Sequence, residues 1–405
     1  MTEASTGSRL AGLVCRACCA EVEADRPQGT CPTCGGALFA EYDLRGFDGR
    51  AWLRGLAGRP TSLWRYRELL PVRTDDHVIS LGEGFSPILP LGETEGAPGV
   101  RLSAKDDGGL PTGSFKARGM AVAVSRAVEL GLTALFVPSA GNAALALAAY
   151  GARAQRSVRV YVPDGTMPSL ISSCRAYGAD VRTLPGTLRE VGAAARAAEQ
   201  GGGAFDMSTL REPYRVEGKK TMGLEIFEQS FADGLPDAIV YPTGGGTGLV
   251  GMQRAFDALR TLGLLERGPR LYAVQPEGCA PVVRALREGA TTVAPWGDPR
   301  TIAPGLLVPA PFAGERILEA VRASRGDGAT VSDPAIVDAM RTLARRHGIS
   351  ASPEAAATYA AVPELVRAGR VRSGETVLLY LTGTGIPFSI EALAASVAGG
   401  TAPAR

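Results

Sequence analysis

Short apolar runs alternate with alanine-rich runs of helical length through most of this chain, and glycine-bearing turns join them. ALFVPSA (residues 134–140) precedes NAALALAAYGARA, and SVRVYVP (157–163) precedes PSLISSCRAYGA. DAIVYPTGGG (237–246) precedes GLVGMQRAFDALRTLG, and RLYAVQP and TVLLYLTGTG repeat the strand-then-loop form. Strands that alternate with helices predict an α/β fold of parallel sheets with crossover helices. In such sheets ligands sit beyond the carboxyl ends of the strands, which is where the glycine turns fall. A length of 405 residues exceeds one small core and predicts two or three domains. No internal repeat is present.

The glycine turns carry the first chemical signal. In PTGGGTGLVGM, Gly244, Gly245, Gly246, Thr247 and Gly248 follow a strand and open a helix. Backbone N–H groups turned to one point in front of a helix N-terminus make an anion cradle. No Gly-Lys-Ser/Thr follows, so this is not a Walker loop, and the spacing does not fit the dinucleotide fingerprint. In PSAGNAALALAAY, Ser139, Ala140, Gly141, Asn142 and Ala143 form a second strand-to-helix turn, suited to a carboxylate. Asn142 taken alone also reads as a helix cap. LTGTG is a third turn, with Thr382 at a strand end. The chain has only four lysines: Lys105, Lys116, Lys219 and Lys220. Lys116 sits in LPTGSFKARGM, behind Pro, Gly and Ser and ahead of a long Ala/Val run. Two or three anion sites and one lysine in such a turn suit a phosphorylated aldehyde cofactor, held by a Schiff base and used as an electron sink. Taken alone, Lys116 and Arg118 read as a solvated basic patch; beside the glycine turns that reading gives way.

The first ~45 residues form a separate segment. Five of the seven cysteines fall between positions 15 and 34, and Cys15, Cys18, Cys31 and Cys34 make two CxxC pairs separated by 12 residues. Four thiolates from two tight turns match a structural tetrahedral zinc site with no open position. Cys19 is left over. The flanks EVEADRPQ and LFAEYDL are not basic, and net charge is only +2, so neither nucleic acid nor a membrane surface is expected as partner. The start MTEASTGSRL lacks a secretory pattern, and no apolar segment approaches the ~20 residues of a membrane span. The expected setting is the cytoplasm, with reduced thiols.

These motifs together resemble threonine synthase and its relatives among the fold-type-II pyridoxal-phosphate enzymes. CPTCGGALFAEYDL is similar to an N-terminal zinc ribbon of that family. SLWRYRELLP, SLGEGFSPILPL, KDDGGLPTGSFKARGM, PSAGNAALALAAYGARA, EPYRVEGKKTMGLEI, YPTGGGTGLVGM and YLTGTG follow in the family's order. The resemblance implies a tryptophan-synthase-β-like two-domain fold. A zinc-ribbon-like segment would span 1–45, a large cofactor-binding domain 46–118 and 206–405, and a small α/β domain 119–205. It implies that Lys116 forms the Schiff base and that Asn142 contacts the ring hydroxyl. Gly244, Gly245, Gly246, Thr247 and Gly248 would hold the cofactor phosphate, and Thr382 would meet the pyridine nitrogen. Ser139, Ala140, Gly141 and Ala143 would hold the substrate carboxylate, and a homodimer is the family habit.

The implied reaction is γ-elimination and β-replacement on O-phospho-L-homoserine, giving L-threonine and phosphate. Lys116 would then serve as base and acid, which requires a depressed pKa supplied by burial and by cations such as Arg118 or Lys219. Arg215, Lys219 and Lys220 are the expected second anion site; a solvated helix start is the alternative. Departures from the family pattern bear on the substrate. Leu110 and Ala117 flank the lysine motif where Asn and Asp are usual, and Ala140 and Ala143 replace threonines. Glu212 stands before PYR where one branch has Asn, Phe85 replaces a small residue, and IPFS follows TGTG. A β-replacement or β-elimination on another phosphorylated amino acid, such as phosphoserine, is the alternative reading. A non-catalytic relative or a zinc-ribbon binding protein is the reading from another class.

Overall fold

The computed structural model describes residues 7–94, 96–201, 203–231 and 233–399. Residues 1–6, on which the reading of the N-terminus partly rests, lie outside them.

The chain opens with a three-stranded antiparallel sheet, ordered β2-β1-β3, of β1 (Leu10–Cys15), β2 (Glu21–Val22) and β3 (Leu38–Tyr42). A short helix α1 (Gly49–Gly55) leads into the body. There β4 (Ile88–Thr94) and β5 (Ala97–Asp106) pair, and helix α2 (Lys116–Glu129) follows. Next comes an alternating series: β6 (Ala134–Pro138), α3 (Asn142–Arg153), β7 (Ser157–Pro163), α4 (Pro168–Ala176), β8 (Asp180–Leu184), α5 (Leu188–Glu199) and β9 (Ala204–Asp206). Its strands form a four-stranded parallel sheet ordered β8-β7-β6-β9.

Helix α6 (Arg215–Gln229) returns the chain to the larger sheet. The second half runs β10 (Ala238–Pro242), α7 (Thr247–Thr261), β11 (Arg270–Pro276), α8 (Pro281–Arg287), α9 (Gly314–Ala323), β12 (Gly328–Val331), α10 (Asp333–His347), α11 (Pro353–Arg367), β13 (Thr376–Leu381) and α12 (Ile390–Ala398). The six strands are ordered β12-β11-β10-β13-β5-β4. All pairings are parallel except β4 with β5, so the purely parallel reading is corrected at one edge. A turn of few residues separates β4 and β5, and so short a link permits only a hairpin.

Burial explains why the strands read as near-continuous apolar runs. The larger sheet is covered on both faces, and successive residues of one strand serve opposite cores. Val240 and Leu379 pack with Ala356 on one face; their neighbours Ile239 and Tyr380 pack with Met252 on the other. A third core joins α2 and the small sheet to the N-terminal segment, where Met120, Ala121 and Val160 pack with Leu13 and Leu38.

Helix α6 is buried along nearly its whole length although it carries Arg215, Glu217, Lys219, Lys220 and Glu225. Charges are rarely fully buried without partners. Residues 215 and 219 share one face, and residues 217 and 220 share another. The first face belongs to the candidate site and the second to the N-terminal segment.

Candidate active site

Lys116 is the first residue of α2. The chain reaches it through a tight turn at Pro111–Gly113, where Thr112 and Gly113 both adopt left-handed φ values of 61° and 69°. That conformation costs threonine about 1 kcal/mol or more and persists only where surroundings enforce it. The loop after β13 does so. Thr384 N–H donates to Gly113 O at 2.9 Å, Phe115 N–H donates to Thr382 O at 2.9 Å, and Ser114 forms an antiparallel bridge with Gly383. A Cβ built on Gly383 would lie 3.4 Å from Ser114 Cβ and 3.8 Å from Asn142 Nδ2. Lys116, Asn142 and Thr382 therefore come together from three separate elements.

Helix α3 starts at Asn142, and Gly141 is its cap residue, with no side chain bonded to the first amides. Asn142 is thus not the cap, which leaves its amide group for other work. The unsatisfied N–H groups at the start of α3 face the end of β6, beside Ala140, Gly141 and Ala143. Ser139 N–H is already spent on Tyr161 O at 3.0 Å, so Ser139 offers its hydroxyl rather than its amide.

Helix α7 repeats the arrangement at the end of β10. Gly246 caps it in the left-handed region, at φ 66°, without a side-chain bond. A Cβ there would meet Ile317 Cδ1 at 2.2 Å, and one on Gly244 would meet Gly305 O at 2.4 Å. Packing against the body therefore accounts for part of the glycine run. A Cβ on Gly245 would make only an ordinary contact, 3.7 Å from Thr209 Cγ2.

The cations decide what the cradle is for. Lys116 Nζ lies 4.0 Å from the Phe115 ring centre and Lys219 Nζ lies 5.5 Å from the same ring. Lys219 donates to Thr247 Oγ1 at 2.5 Å, at the mouth of the cradle. Arg215 is 2 % exposed and donates Nη1 to Met207 O at 2.6 Å, while its Nε and Nη2 have no hydrogen-bond partner among the described residues. Ser208 Oγ and Ser114 Oγ are likewise buried without a partner. Burial, reinforced by Arg215 and opposed by Glu354, pushes the Lys116 amine down to about 7. Burial, then Arg215 and Lys116, holds Lys219 far below the ordinary lysine range. Arg215, with two unused guanidinium nitrogens, beside the amines of buried Lys219 and half-buried Lys116, fits a phosphorylated group, because a buried anion would repay the lost hydration of the guanidinium and restore charge to the amines.

Glu212 does not reach toward that anion. Its carboxylate accepts the N–H groups of Tyr214 at 2.8 Å and Arg215 at 2.9 Å, and so caps the start of α6. Burial pushes it up to about 7, against the pull of Arg215 and of those two amides.

Two expectations about basic residues are corrected. Lys220 is not part of the second anion site: it pairs with Glu217 at 2.5 Å and lies over the Tyr42 ring at 3.8 Å, on the opposite face of α6. Arg118 does not tune Lys116. It is locked between Asp107, at 2.7 Å, and Glu225, at 2.5 Å. Phe85 donates its amide to Glu225 at 2.7 Å and stacks its ring 4.5 Å from the Arg65 guanidinium. Sequence reasoning missed Glu354. Its carboxylate accepts Gly305 N–H at 2.7 Å and bears on Lys116, yet in SPEAAATY it reads as an ordinary first-turn acid.

Among the described residues, the four sulfurs of Cys15, Cys18, Cys31 and Cys34 lie within 4.8 Å of one another, with Cys15–Cys34 at 3.5 Å and Cys18–Cys31 at 3.6 Å. Zinc–sulfur bonds of ~2.3 Å in a tetrahedron put sulfurs ~3.8 Å apart, so the donor set fits that ion. Cys19 adopts φ 60° beyond the first knuckle and is exposed.

Residues 79–383 match the family model described as pyridoxal-phosphate dependent enzyme. The chain is 33% identical to a threonine synthase of Methanosarcina acetivorans over 373 residues, which cover 92% of this chain and 91% of the relative. It is 31% identical to a threonine synthase of Methanocaldococcus jannaschii, covering 94% of each. Among solved structures, a T.th. threonine deaminase superposes with TM-score 0.63 at 30% identity, covering 75% of this chain and 94% of that one. Maize serine racemase gives TM-score 0.65 at 20% identity, over 78% and 92% of the two chains, which speaks to the fold. On the span of these matches, the chain belongs to the family of pyridoxal-phosphate dependent enzymes and is a homologue of the threonine synthases.

Proposed function

We propose that this chain converts O-phospho-L-homoserine and water into L-threonine and inorganic phosphate, using pyridoxal phosphate. The observation that carries the reading is the unused edge of Arg215, buried beside the low-pKa amine of Lys116, in a chain whose relatives are threonine synthases. When bound, the cofactor supplies an aldehyde for a lysine Schiff base and a conjugated ring that draws electrons from the substrate α-carbon.

The protein's own groups do the rest. Lys116, half neutral near pH 7, takes the proton from Cα and from Cβ, returns one at Cγ after phosphate leaves, and returns one at Cα after water has added at Cβ. Arg215 presents Nε and Nη2 to the substrate phosphate and stabilises it as it leaves from Cγ. The open N-terminus of α3, with Ser139, Ala140, Gly141 and Ala143, orients the substrate carboxylate. Asn142 would contact the ring hydroxyl, and the Thr382 hydroxyl would meet the pyridine nitrogen. Water adds at Cβ. The test is turnover of O-phosphohomoserine by cofactor-loaded protein, read as threonine and phosphate in equal amounts. No product from saturated protein would sink the assignment.

The departures at Leu110, Ala117, Ala140 and Ala143 favour one second reading, a β-replacement or β-elimination on another phosphorylated amino acid such as phosphoserine. A panel of phosphorylated amino acids separates the two. We also propose a structural zinc on the four cysteines, a small domain of residues 119–205 between the two parts of the large one, a homodimer, and a reducing cytoplasmic setting. Metal content of about one zinc per chain, lost in Cys31→Ser, checks the first of these.

A further inference from the structure

The glycine turn before α7 offers an anion only backbone amides, the Thr247 hydroxyl and the partial charge of a helix end, about half an elementary unit. Lys219 approaches this turn from α6. Its amine donates to Thr247 Oγ1 at 2.5 Å, and the side chain is 0% exposed. No carboxylate pairs with it within ion-pair distance among the described residues. The nearby charges are Arg215, Lys116 and Glu212, and Glu212 is committed to the amides of α6. Close packing fixes the lysine in this pose. A Cβ on Gly251 would lie 3.1 Å from Lys219 Cβ, and one on Gly119 would lie 3.3 Å from Lys219 Cε. The stem therefore runs in a slot between α2 and α7 and ends at the first residue of α7.

We propose that Lys219 is a side-chain ligand of the cofactor phosphate, completing the cradle of residues 244–248, and that Arg215 alone serves the substrate phosphate. The inference rests on the pyridoxal-phosphate reading of the site and reassigns Lys219 from substrate to cofactor. The physical reason is charge. A phosphate near two negative charges, bound by amides alone, leaves most of its charge uncompensated in a buried site. A lysine held at Thr247 supplies a full unit at hydrogen-bonding range, and the anion in turn restores the amine to its charged form. Arg215 and Lys219 lie one turn apart on α6, so one helix serves both anions from neighbouring positions.

The experiment is titration of cofactor-free protein, followed by the visible absorbance of the bound aldehyde. Wild type and Lys219→Gln are each titrated with pyridoxal phosphate and with pyridoxal, which has the aldehyde but no phosphate. Loss of a charge-assisted hydrogen bond weakens binding by roughly 10- to 100-fold. We expect that loss for pyridoxal phosphate and no change for pyridoxal. Equal loss for both compounds would mean that Lys219 supports the fold, and overturns the proposal. Unchanged cofactor affinity with a raised KM for substrate would return Lys219 to the substrate, and also overturns it. Failure of wild type to bind pyridoxal phosphate at all would instead sink the functional reading. If Lys219→Gln does not fold, Lys219→Met provides a second route and must again weaken pyridoxal phosphate selectively, while Lys219→Arg, which keeps the charge, must lose less affinity than either.

Discussion

Lys116 and Glu212 are displaced toward neutrality from opposite sides, and each displacement has a sign. In the folded chain the Lys116 amine sits at about 7 rather than 10.5. Between those values the unfolded chain holds a proton that the folded one lacks, so stability rises with pH across that window. Glu212 is pushed from 4.5 up to about 7. Between those values the folded chain holds the extra proton, so its contribution falls as pH rises. The two groups together create a shallow minimum near pH 7 in cofactor-free protein. Melting profiles across pH should lose the falling arm in Glu212→Gln and flatten the rising arm in Lys116→Met, the remainder coming from the depressed amines of Lys219 and Lys220. Capture of the cofactor aldehyde should accelerate through pH 7 rather than near 10. A rate that climbs only above pH 9 would mean that Lys116 is not desolvated as described.

Helix α6 is where the sequence was least readable. Its run EPYRVEGKKTMGLEI suggested one basic cluster, but helical geometry divides the charges. Arg215 and Lys219 turn to the site, while Glu217 and Lys220 turn to Tyr42 and Arg254. Neighbours in sequence are not neighbours on a helix, and only the packing partners reveal which face is which. The strand–turn–helix units were legible because both faces of the large sheet are buried, which leaves apolar runs such as AIVYP. The anion turns were legible because they follow such runs directly. Glu354 and the capping role of Glu212 were not, since each depends on a backbone amide far away or on a local turn. The ion pairs of α6 are open to direct test. Glu217→Gln removes the partner of both Lys220, at 2.5 Å, and Arg254, at 3.1 Å. Stranding buried charges costs roughly 3–5 kcal/mol, to be read from denaturant unfolding. A loss below about 1 kcal/mol would show that these charges are solvated.

At the scale of the whole molecule, the N-terminal segment is part of the body rather than a bead on it. Leu13, Leu38 and Ala40 share one core with Met120 and Ala121 of α2. Its backbone also caps buried groups of the body. Ala24 O accepts from Arg126 Nη2 at 2.9 Å and from Tyr214 Oη at 3.0 Å, and Ala40 O accepts from Arg254. Tyr214 is the cap residue of α6 and Glu217 lies in its first turn, on either side of Arg215, so the segment braces the helix that carries the site. A metal that orders the two CxxC knuckles would therefore stabilise more than the knuckles, since binding energy available only to the folded state adds to its stability. Calorimetry of the whole protein should show a single unfolding transition, and a zinc chelator should move it down as one. Affinity for pyridoxal phosphate should fall with it, because a loosened segment releases Tyr214 and the start of α6. Two transitions, with only the first sensitive to chelation and with cofactor affinity unchanged, would mean that the segment folds as a separate unit and leaves the site alone. The shared core and the carbonyl caps from Ala24 and Ala40 argue for the single transition: unfolding the segment alone would expose Met120 and strand Arg126 and Glu217, a cost the isolated body could not absorb without loosening α2 and α6.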